Sequence, residues 1–303
     1  MRNTFSNKIY EFAKNGKDFI VLTADLGYTV FDKFREHYPD KFYNVGIAEN
    51  NMVSVAAGMS LVGKKVFVYS ISTFLAYKCI EQIREDICHN DLDVIIVGVG
   101  SGFAYGSTGS SHHSTEDIGC LRSIPNLTIL SPSDPSELNQ LMDNIFEYRH
   151  PIYLRIGKAN EKIFTSSTDV TIGKAYYLVK EKDIALVTYG NIIEEVVKAR
   201  ELLKVDNLNV SLVSCHTIKP LDVAFFEELF KCHKYVFVIE EHNEIGGLGE
   251  AIACKLKQSV HQIAIKDLFI YECGNSSYLR QVAGIDSESI YKQIKKILSS
   301  KQD

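Results

Sequence analysis

The feature that most constrains the fold of this chain is the regular alternation of short apolar segments with amphipathic helical segments. Strand-like segments such as 19–23, 65–69 and 93–98 are separated by stretches in which apolar residues recur at helical spacing. Strands that are joined through helices usually pair in parallel, and the helices then cover the faces of the sheet. The pattern therefore predicts an α/β protein with parallel sheets flanked by helices.

The alternation is interrupted near the middle of the chain. Residues 156–173 are polar and show no period, so we expect a linker there, and the alternation resumes with a strand at 184–188. A length of 303 residues also exceeds the usual size of one domain. The sequence therefore predicts two α/β domains, at residues 1–160 and 174–303.

Composition and charge exclude several classes of protein. The net charge of −5 leaves no basic patch, so neither nucleic acid nor an anionic membrane is an expected partner. The longest apolar runs are strand-sized, whereas a membrane helix needs about 20 residues. The N-terminus has no apolar signal core. Seven cysteines without a C-x-x-C pair predict reduced thiols in a cytoplasmic protein.

The segment Asn-Val-Gly-Ile-Ala-Glu-Asn at 44–50 connects a short strand to a long helix. It places Glu49 in the first helical turn, at the carboxyl end of a strand, where open α/β sheets bind ligands. Glutamate is also common in first turns because it complements the helix dipole. From this segment alone, a functional and a purely structural role for Glu49 both remain open.

Two glycine-containing segments suggest ligand sites of other kinds. In the loop 98–109, Gly100 and Gly102 match the start of a dinucleotide fingerprint, but Tyr105 replaces the third glycine and no acidic ribose contact follows. We therefore expect a loop that lines a substrate channel. Gly246-Gly247 precedes a helix, where an anion-binding turn could form.

Several segments, in one order along the chain, resemble the C-terminal two-thirds of transketolase and of deoxyxylulose-phosphate synthase, which are thiamine diphosphate enzymes. They are TADLG at 23–27, VGIAEN at 45–50, STFL at 72–75, GSSHHSTED at 109–117, LRSIPN at 121–126, SPSD at 131–134, YLR at 153–155, TIKPLD at 217–222 and EEHN at 240–243 with the glycine pair that follows. Their shared order and spacing covers nearly all of the chain. The resemblance implies a pyrimidine-binding domain at 1–160 and the family's C-terminal domain at 174–303.

One family motif is missing. In the family, a Gly-Asp-Gly segment and a later pair of asparagines hold Mg²⁺ and the diphosphate, and this sequence contains no Gly-Asp-Gly. The chain thus resembles one subunit of a split transketolase-like enzyme that transfers a two-carbon ketol unit between sugar phosphates. The resemblance implies that a separate N-terminal transketolase-like subunit supplies the metal and diphosphate site, in an α2β2 assembly, and that this chain holds no metal.

The resemblance also implies roles for residues near the cofactor. Glu49 matches the glutamate that hydrogen-bonds the pyrimidine ring of thiamine diphosphate, and we expect its side chain to face outwards, towards the cofactor. Phe74 and Tyr77 match the aromatic residues that enclose this ring, although an aromatic pair three residues apart also packs in cores. Asp25 matches an aspartate near the cofactor and a subunit contact, although an aspartate there could equally cap a turn.

Further residues match the substrate channel of the family. His112 matches a histidine that contacts substrate oxygens, while a contact by His113 stays open. Arg155 matches an arginine that binds the substrate phosphate, for which its planar fork is suited, although a salt bridge at a strand end is the alternative. Thr108 replaces a family aspartate that contacts a sugar hydroxyl, and Gly100 replaces a substrate-contacting histidine of transketolases. These departures predict an acceptor outside the ordinary pentose phosphates, such as a deoxy, branched or otherwise modified sugar.

Two other functions remain open from the sequence. The β subunit of a 2-oxo-acid dehydrogenase decarboxylase component has the same layout and its own Ile-Ala-Glu segment, but the segments 121–126 and 131–134 favour transketolase, as does Arg155. A catalytically inactive homologue is the second alternative, and the presence of Glu49 and Phe74 argues against it.

Overall fold

The structure is a computed structural model that describes residues 1–165 and 170–300. Within these residues the strands are β1 (Ile20–Thr23), β2 (Phe42–Asn44), β3 (Val66–Ile71), β4 (Val94–Val99), β5 (Thr128–Leu130), β6 (Ile152–Ile156), β7 (Tyr176–Val179), β8 (Ile184–Thr188), β9 (Ser211–Ser214), β10 (Thr217–Lys219), β11 (Tyr235–Asn243) and β12 (His261–Ile265). They form two mostly parallel sheets flanked by helices, so the predicted fold class is confirmed.

The helices of the described residues alternate with these strands. They are α1 (Arg2–Lys14), α2 (Asp32–His37), α3 (Glu49–Leu61), α4 (Ile80–Gln82), α5 (Asp117–Arg122), α6 (Pro135–Glu147), α7 (Ile193–Val205), α8 (Val223–Cys232), α9 (Leu248–Leu256), α10 (Ser276–Val282) and α11 (Ser287–Ser299). In the part of the chain that is described, no helix has the length and apolar character needed to cross a bilayer.

The first sheet has seven strands in the order β10-β5-β6-β4-β3-β1-β2, and all pairs are parallel except β10 with β5. The second has five strands in the order β12-β11-β8-β9-β7, in which β7 pairs with β9 in the antiparallel sense. The first sheet thus takes its edge strand β10 from the second half of the chain. We keep the division at 1–160 and 174–303 as a proposal, with β10 as a segment of the second half that joins the first sheet.

Three large apolar clusters cover the sheet faces. The first contains buried residues from both sheets, such as Val68 and Ile96 of the first and Val213 and Val238 of the second. Burial of apolar surface is the main favourable term in folding, so this shared cluster ties the two sheets together. The second cluster, which includes Phe5, packs on the outer face of the first sheet. The third packs on the outer face of the second sheet, against its helices.

The site lies at one edge of the first sheet, where the carboxyl ends of its parallel strands meet. Thr23 of β1 pairs with Asn44 of β2 and with Tyr69 of β3, while Gly98 of β4 pairs with Arg155 of β6. The segments that follow these strands therefore emerge side by side. The segment that follows β3 is π-helical at Phe74–Lys78 and Ile83–Cys88, with the short α4 between. Such irregular turns are frequent at functional sites.

Candidate active site

Glu49 is positioned by a tight turn between β2 and α3. Gly46 has a φ of +78°, which a glycine adopts without steric strain. The side-chain oxygen of Asn44 accepts hydrogen bonds from the backbone N–H groups of Gly46 (3.0 Å) and Asp25 (2.9 Å). These bonds fix the path of the chain into α3, of which Glu49 is the first residue.

The Glu49 side chain is 2% exposed, and the ammonium of Lys78 covers it. Lys78 Nζ donates a 2.7 Å hydrogen bond to Glu49 Oε2, and the Lys78 side chain itself is 50% exposed. A buried carboxylate requires such a partner because desolvation of an unpaired charge is costly. The expectation that Glu49 faces outwards is therefore wrong for this structure, since its side chain is buried and paired with Lys78.

Phe74 and His112 extend this arrangement. Lys78 Nζ lies 5.2 Å from the centroid of the partly exposed Phe74 ring. The His112 imidazole approaches Phe74 edge-on, with the ring centroids 5.4 Å apart. We call Glu49, Lys78, Phe74 and His112 the site row, because consecutive members are in contact.

The imidazole of His112 is partly exposed. Burial lowers the pKa of His112, and the neighbouring His113 lowers it further, so the ring is neutral at pH 7. Its Nδ1 lies 3.0 Å from the Ser111 hydroxyl oxygen. A neutral imidazole donates one hydrogen bond and accepts another, which suits contacts with hydroxyl and carbonyl oxygens.

Tyr77 is anchored away from the site row. Its hydroxyl donates to Glu116 Oε2 at 2.8 Å and accepts from the Glu116 backbone N–H at 3.1 Å. Burial, with the nearby carboxylates of Asp117 and Glu116, raises the pKa of Tyr77. The ring packs against the shared apolar cluster. The contacts thus favour the packing alternative, and a role for Tyr77 beside the cofactor stays a prediction.

Asp25 belongs to the turn that supports Glu49. It accepts hydrogen bonds from the Tyr28 hydroxyl (2.7 Å) and the Asn44 side-chain amide (3.1 Å), and both bonds lower the pKa of Asp25. Its φ is +53°, a conformation that aspartate tolerates in turns. These contacts match the turn-capping alternative, and a cofactor contact by Asp25 stays a prediction.

The loop that precedes His112 explains one departure from the resemblance. Gly100 has a φ of +91°, and a Cβ atom there would clash with the Tyr105 ring, so a histidine at this position would require Tyr105 to move. Thr108 is exposed, and its backbone N–H donates to the Tyr105 carbonyl at 2.9 Å. Tyr105 in turn lies 6.4 Å from His112, centroid to centroid.

Arg155 does not line this site. Its side chain is 1% exposed, and its Nε donates to the fully buried Asp117 carboxylate at 2.8 Å. Its Nη2 donates to the carbonyl oxygens of Ser114 (2.9 Å) and Glu241 (3.2 Å). The contacts therefore favour the salt-bridge alternative, because β11 of the second sheet covers this strand end, and a phosphate contact by Arg155 stays a prediction.

His113 also points inwards. It is buried, its Nε2 lies 3.4 Å from the Gly106 carbonyl oxygen, and its ring packs edge-on against Phe103. These contacts indicate a packing role. Across residues 1–165 and 170–300, no three His, Cys, Asp or Glu side chains are grouped as metal ligands.

The Glu-Glu-His-Asn segment of β11 holds the site in place, a role that the sequence analysis did not identify. The Asn243 N–H donates to the Thr115 carbonyl, and His242 Nε2 accepts from the Gly119 N–H at 3.1 Å. The Glu240 carboxylate accepts from Leu248 N–H (2.8 Å) and Gly249 N–H (3.1 Å) at the start of α9. The chain's own carboxylate thus occupies the turn that could have bound an anion.

Known protein families match both halves of the chain. The family model described as "Transketolase, pyrimidine binding domain" matches residues 1–162, and "Transketolase, C-terminal domain" matches residues 173–290. The chain is 34% identical to one of the subunits of the apulose-4-phosphate transketolase of Actinobacillus succinogenes, over 96% of each chain. It is 30% identical to the protein of the same name from Phocaeicola vulgatus, over 96% of this chain and 95% of that one.

A solved structure has the same fold over nearly its whole length. It is described as a split gene transketolase, an inactive β4 tetramer, and matches with a TM-score of 0.87 at 28% identity. The match covers 98% of this chain and 97% of that chain.

Proposed function

Since the chain belongs to the transketolase family, we propose that it is the pyrimidine-binding subunit of a split transketolase. The enzyme would transfer a two-carbon ketol unit between sugar phosphates with thiamine diphosphate, a cofactor type that the pyrimidine-binding domain implies. When bound, this cofactor supplies the nucleophilic carbon that receives and delivers the ketol unit.

The observation that carries this proposal is the buried Glu49 carboxylate and the partly exposed Phe74 ring, which both contact the Lys78 ammonium. A flat aminopyrimidine fits this pair, since it can stack on an aromatic face and exchange a hydrogen bond with a carboxylate through its ring nitrogen. Glu49 would hold the proton at that nitrogen. The neutral imidazole of His112, in contact with Phe74, would bind hydroxyl and carbonyl oxygens of the sugar.

We assign the Mg²⁺ and diphosphate site to a separate subunit. The sequence has no Gly-Asp-Gly segment, and the relatives from A. succinogenes and P. vulgatus are each named as one subunit of their enzyme, which implies a second, different chain in each. An α2β2 assembly would then place each Glu49 opposite the diphosphate site of the partner. The chain alone would bind the cofactor weakly and would be inactive.

The acceptor sugar is proposed from the loop before His112. Thr108 cannot supply the carboxylate of the family aspartate, and Tyr105 fills the space that a side chain at position 100 would need. A site built to hydrogen-bond a hydroxyl selects substrates that carry it, because its buried polar groups are otherwise left unpaired. Without the family's aspartate and histidine, this loop lacks that selection for the ordinary pentose phosphates. Because both relatives carry apulose 4-phosphate in their names, this compound is the first candidate substrate to assay.

The test is reconstitution with a candidate partner chain that carries the Gly-Asp-Gly segment. We expect Mg²⁺-dependent thiamine diphosphate binding by the mixture in calorimetry, and ketol transfer only by the mixture. Tight Mg²⁺-dependent binding by the isolated chain would contradict the split site. Turnover of xylulose 5-phosphate with ribose 5-phosphate at housekeeping efficiency would contradict the acceptor proposal, whereas a gain of that activity in Thr108→Asp would support it.

Two controls separate the alternative functions. Decarboxylation of a 2-oxo acid with transfer to a lipoyl carrier protein would identify the dehydrogenase component instead. Cofactor binding without turnover of any tested sugar phosphate, in a complex of correct stoichiometry, would favour the inactive homologue.

A further inference from the structure

Lys78 contacts both groups that the proposed function assigns to the cofactor ring. Its Nζ is 2.7 Å from Glu49 Oε2 and 5.2 Å from the centroid of the Phe74 ring. One ammonium group therefore occupies Glu49 Oε2, one of the two carboxylate oxygens, and part of the Phe74 surface. A ring that uses both residues at once has to displace it.

The surroundings of Lys78 allow its side chain to leave while its backbone stays. The Lys78 carbonyl oxygen accepts a 2.7 Å hydrogen bond from the Asn50 side-chain amide, which also donates to Gln82 Oε1 at 2.8 Å. This clamp ties the π-helical segment Phe74–Lys78 to α3. The side chain is half exposed, so its ammonium regains water when it moves outwards.

We propose, on the basis of the function proposed above, that Lys78 is a displaceable occupant of the pyrimidine half-site. In the free subunit its ammonium neutralises the buried Glu49 carboxylate and covers Phe74. The cofactor ring replaces it when the partner subunit supplies the diphosphate site. Lys78 thereby keeps Glu49 in place before assembly and lowers the affinity of the half-site for the cofactor ring.

The free energies of the two Lys78 contacts are small enough for a bound cofactor to displace the side chain. A partly exposed ion pair contributes about 0.2–1 kcal/mol, and a cation on an exposed aromatic ring about 0.5–1 kcal/mol. Together they correspond to roughly a 3- to 30-fold change in a dissociation constant. The anchoring of Mg²⁺-diphosphate on the partner subunit supplies far more than this.

The test measures binding of thiamine diphosphate to the reconstituted complex by calorimetry, without turnover. Lys78→Met should lower the apparent Kd about 3- to 30-fold, whereas Lys78→Arg should change it by less than about 2-fold. Lys33→Met is the matched control, because it removes an exposed lysine that lies 4.2 Å from the Tyr10 ring centroid and is not a member of the site row. If Lys78→Met does not fold, Lys78→Gln retains a hydrogen-bond donor without the charge.

A double-mutant cycle isolates the contact with Glu49. In a Glu49→Gln background, the gain from Lys78→Met should fall to about 2- to 5-fold, because the ion pair is already absent and only the contact with the Phe74 ring remains. A weaker cofactor affinity in Lys78→Met, or a Kd equal to that of Lys33→Met, would overturn the proposal while leaving the proposed function intact. Absence of binding in every complex, wild type included, would overturn both.

Discussion

Replacement of Arg155 should reduce stability rather than substrate affinity. The Arg155 and Asp117 side chains are 1% and 0% exposed, and their closest atoms are 2.8 Å apart. In Arg155→Met the Asp117 carboxylate stays buried with the Tyr153 hydroxyl at 2.8 Å as its remaining side-chain donor. Removal of one member of a buried pair costs about 3–5 kcal/mol, because the other charge is left without compensation.

This loss is large compared with the total stability of a domain, which is about 5–15 kcal/mol. We expect a clear shift of the urea midpoint of Arg155→Met, followed by far-ultraviolet circular dichroism. Arg122→Met is the matched control, since Arg122 is partly exposed and donates one hydrogen bond to the Gly246 carbonyl. Its loss should cost only about 1 kcal/mol.

The double variant Arg155→Met/Asp117→Leu tests whether the unpaired charge is the cause. It removes both charged groups, so its free energy of unfolding should fall by less than the sum of the two single losses. A loss below about 1 kcal/mol in Arg155→Met would refute the structural assignment. A folded Arg155→Met variant whose KM rises about 10-fold for phosphorylated sugars alone would also refute it, because that result would indicate that Arg155 contacts the phosphate.

Three further outcomes follow from the site and its supports. Glu49→Ala in the reconstituted complex should slow hydrogen–deuterium exchange at the reactive carbon of the cofactor by about 100-fold or more, and normal exchange would remove Glu49 from the proposed role. Burial lowers the pKa of His216, only partly offset by Glu137, so the folded state binds fewer protons than the unfolded state as the pH falls below 6.5. The free energy of unfolding should therefore fall with decreasing pH. In chemical denaturation, His216→Gln should lower the slope of this free energy against pH by up to about 1.4 kcal/mol per pH unit. Identical slopes in the two proteins would contradict the assignment. Gly100→Ala should lower the free energy of unfolding more than Gly63→Ala. Both positions have positive φ, but only at Gly100 does an added Cβ meet a ring. Equal losses would show that the loop adapts.

The sequence predicted the main strands because a strand buried in a parallel sheet has a local apolar signature. It did not identify β10, which has three residues and pairs with β5 across a long separation along the chain. Nor did it identify the π-helical turns at 74–88, where the apolar period is still helical. Such short edge pairings and hydrogen-bond shifts depend on tertiary packing, which no local window of sequence contains.

The same dependence on tertiary packing explains why Arg155 is not part of the site row. Arg155 lies opposite Gly98 in register, at the same strand edge that leads to Phe74 and His112, so its predicted place along the sheet was right. Whether a strand end is open or covered depends on the second sheet, and β11 covers this one. Lys78 was missed for the opposite reason, because a lysine in a helical period is typical of a solvated face.

The burial of Arg155 and the pairing of Lys78 with Glu49 change the charge balance of the proposed site. Within the site row, the Glu49 carboxylate is paired with the Lys78 ammonium, and His112 is neutral at pH 7 because its pKa is lowered. A sugar phosphate brings a charge of about −1.5 to −2 at neutral pH. Since Arg155 is occupied in the interior, a cation other than Arg155 has to bind this phosphate. Such a cation can come from this chain, since Lys158 Nζ lies 4.7 Å from the centroid of the Tyr105 ring beside His112, or from the proposed partner subunit.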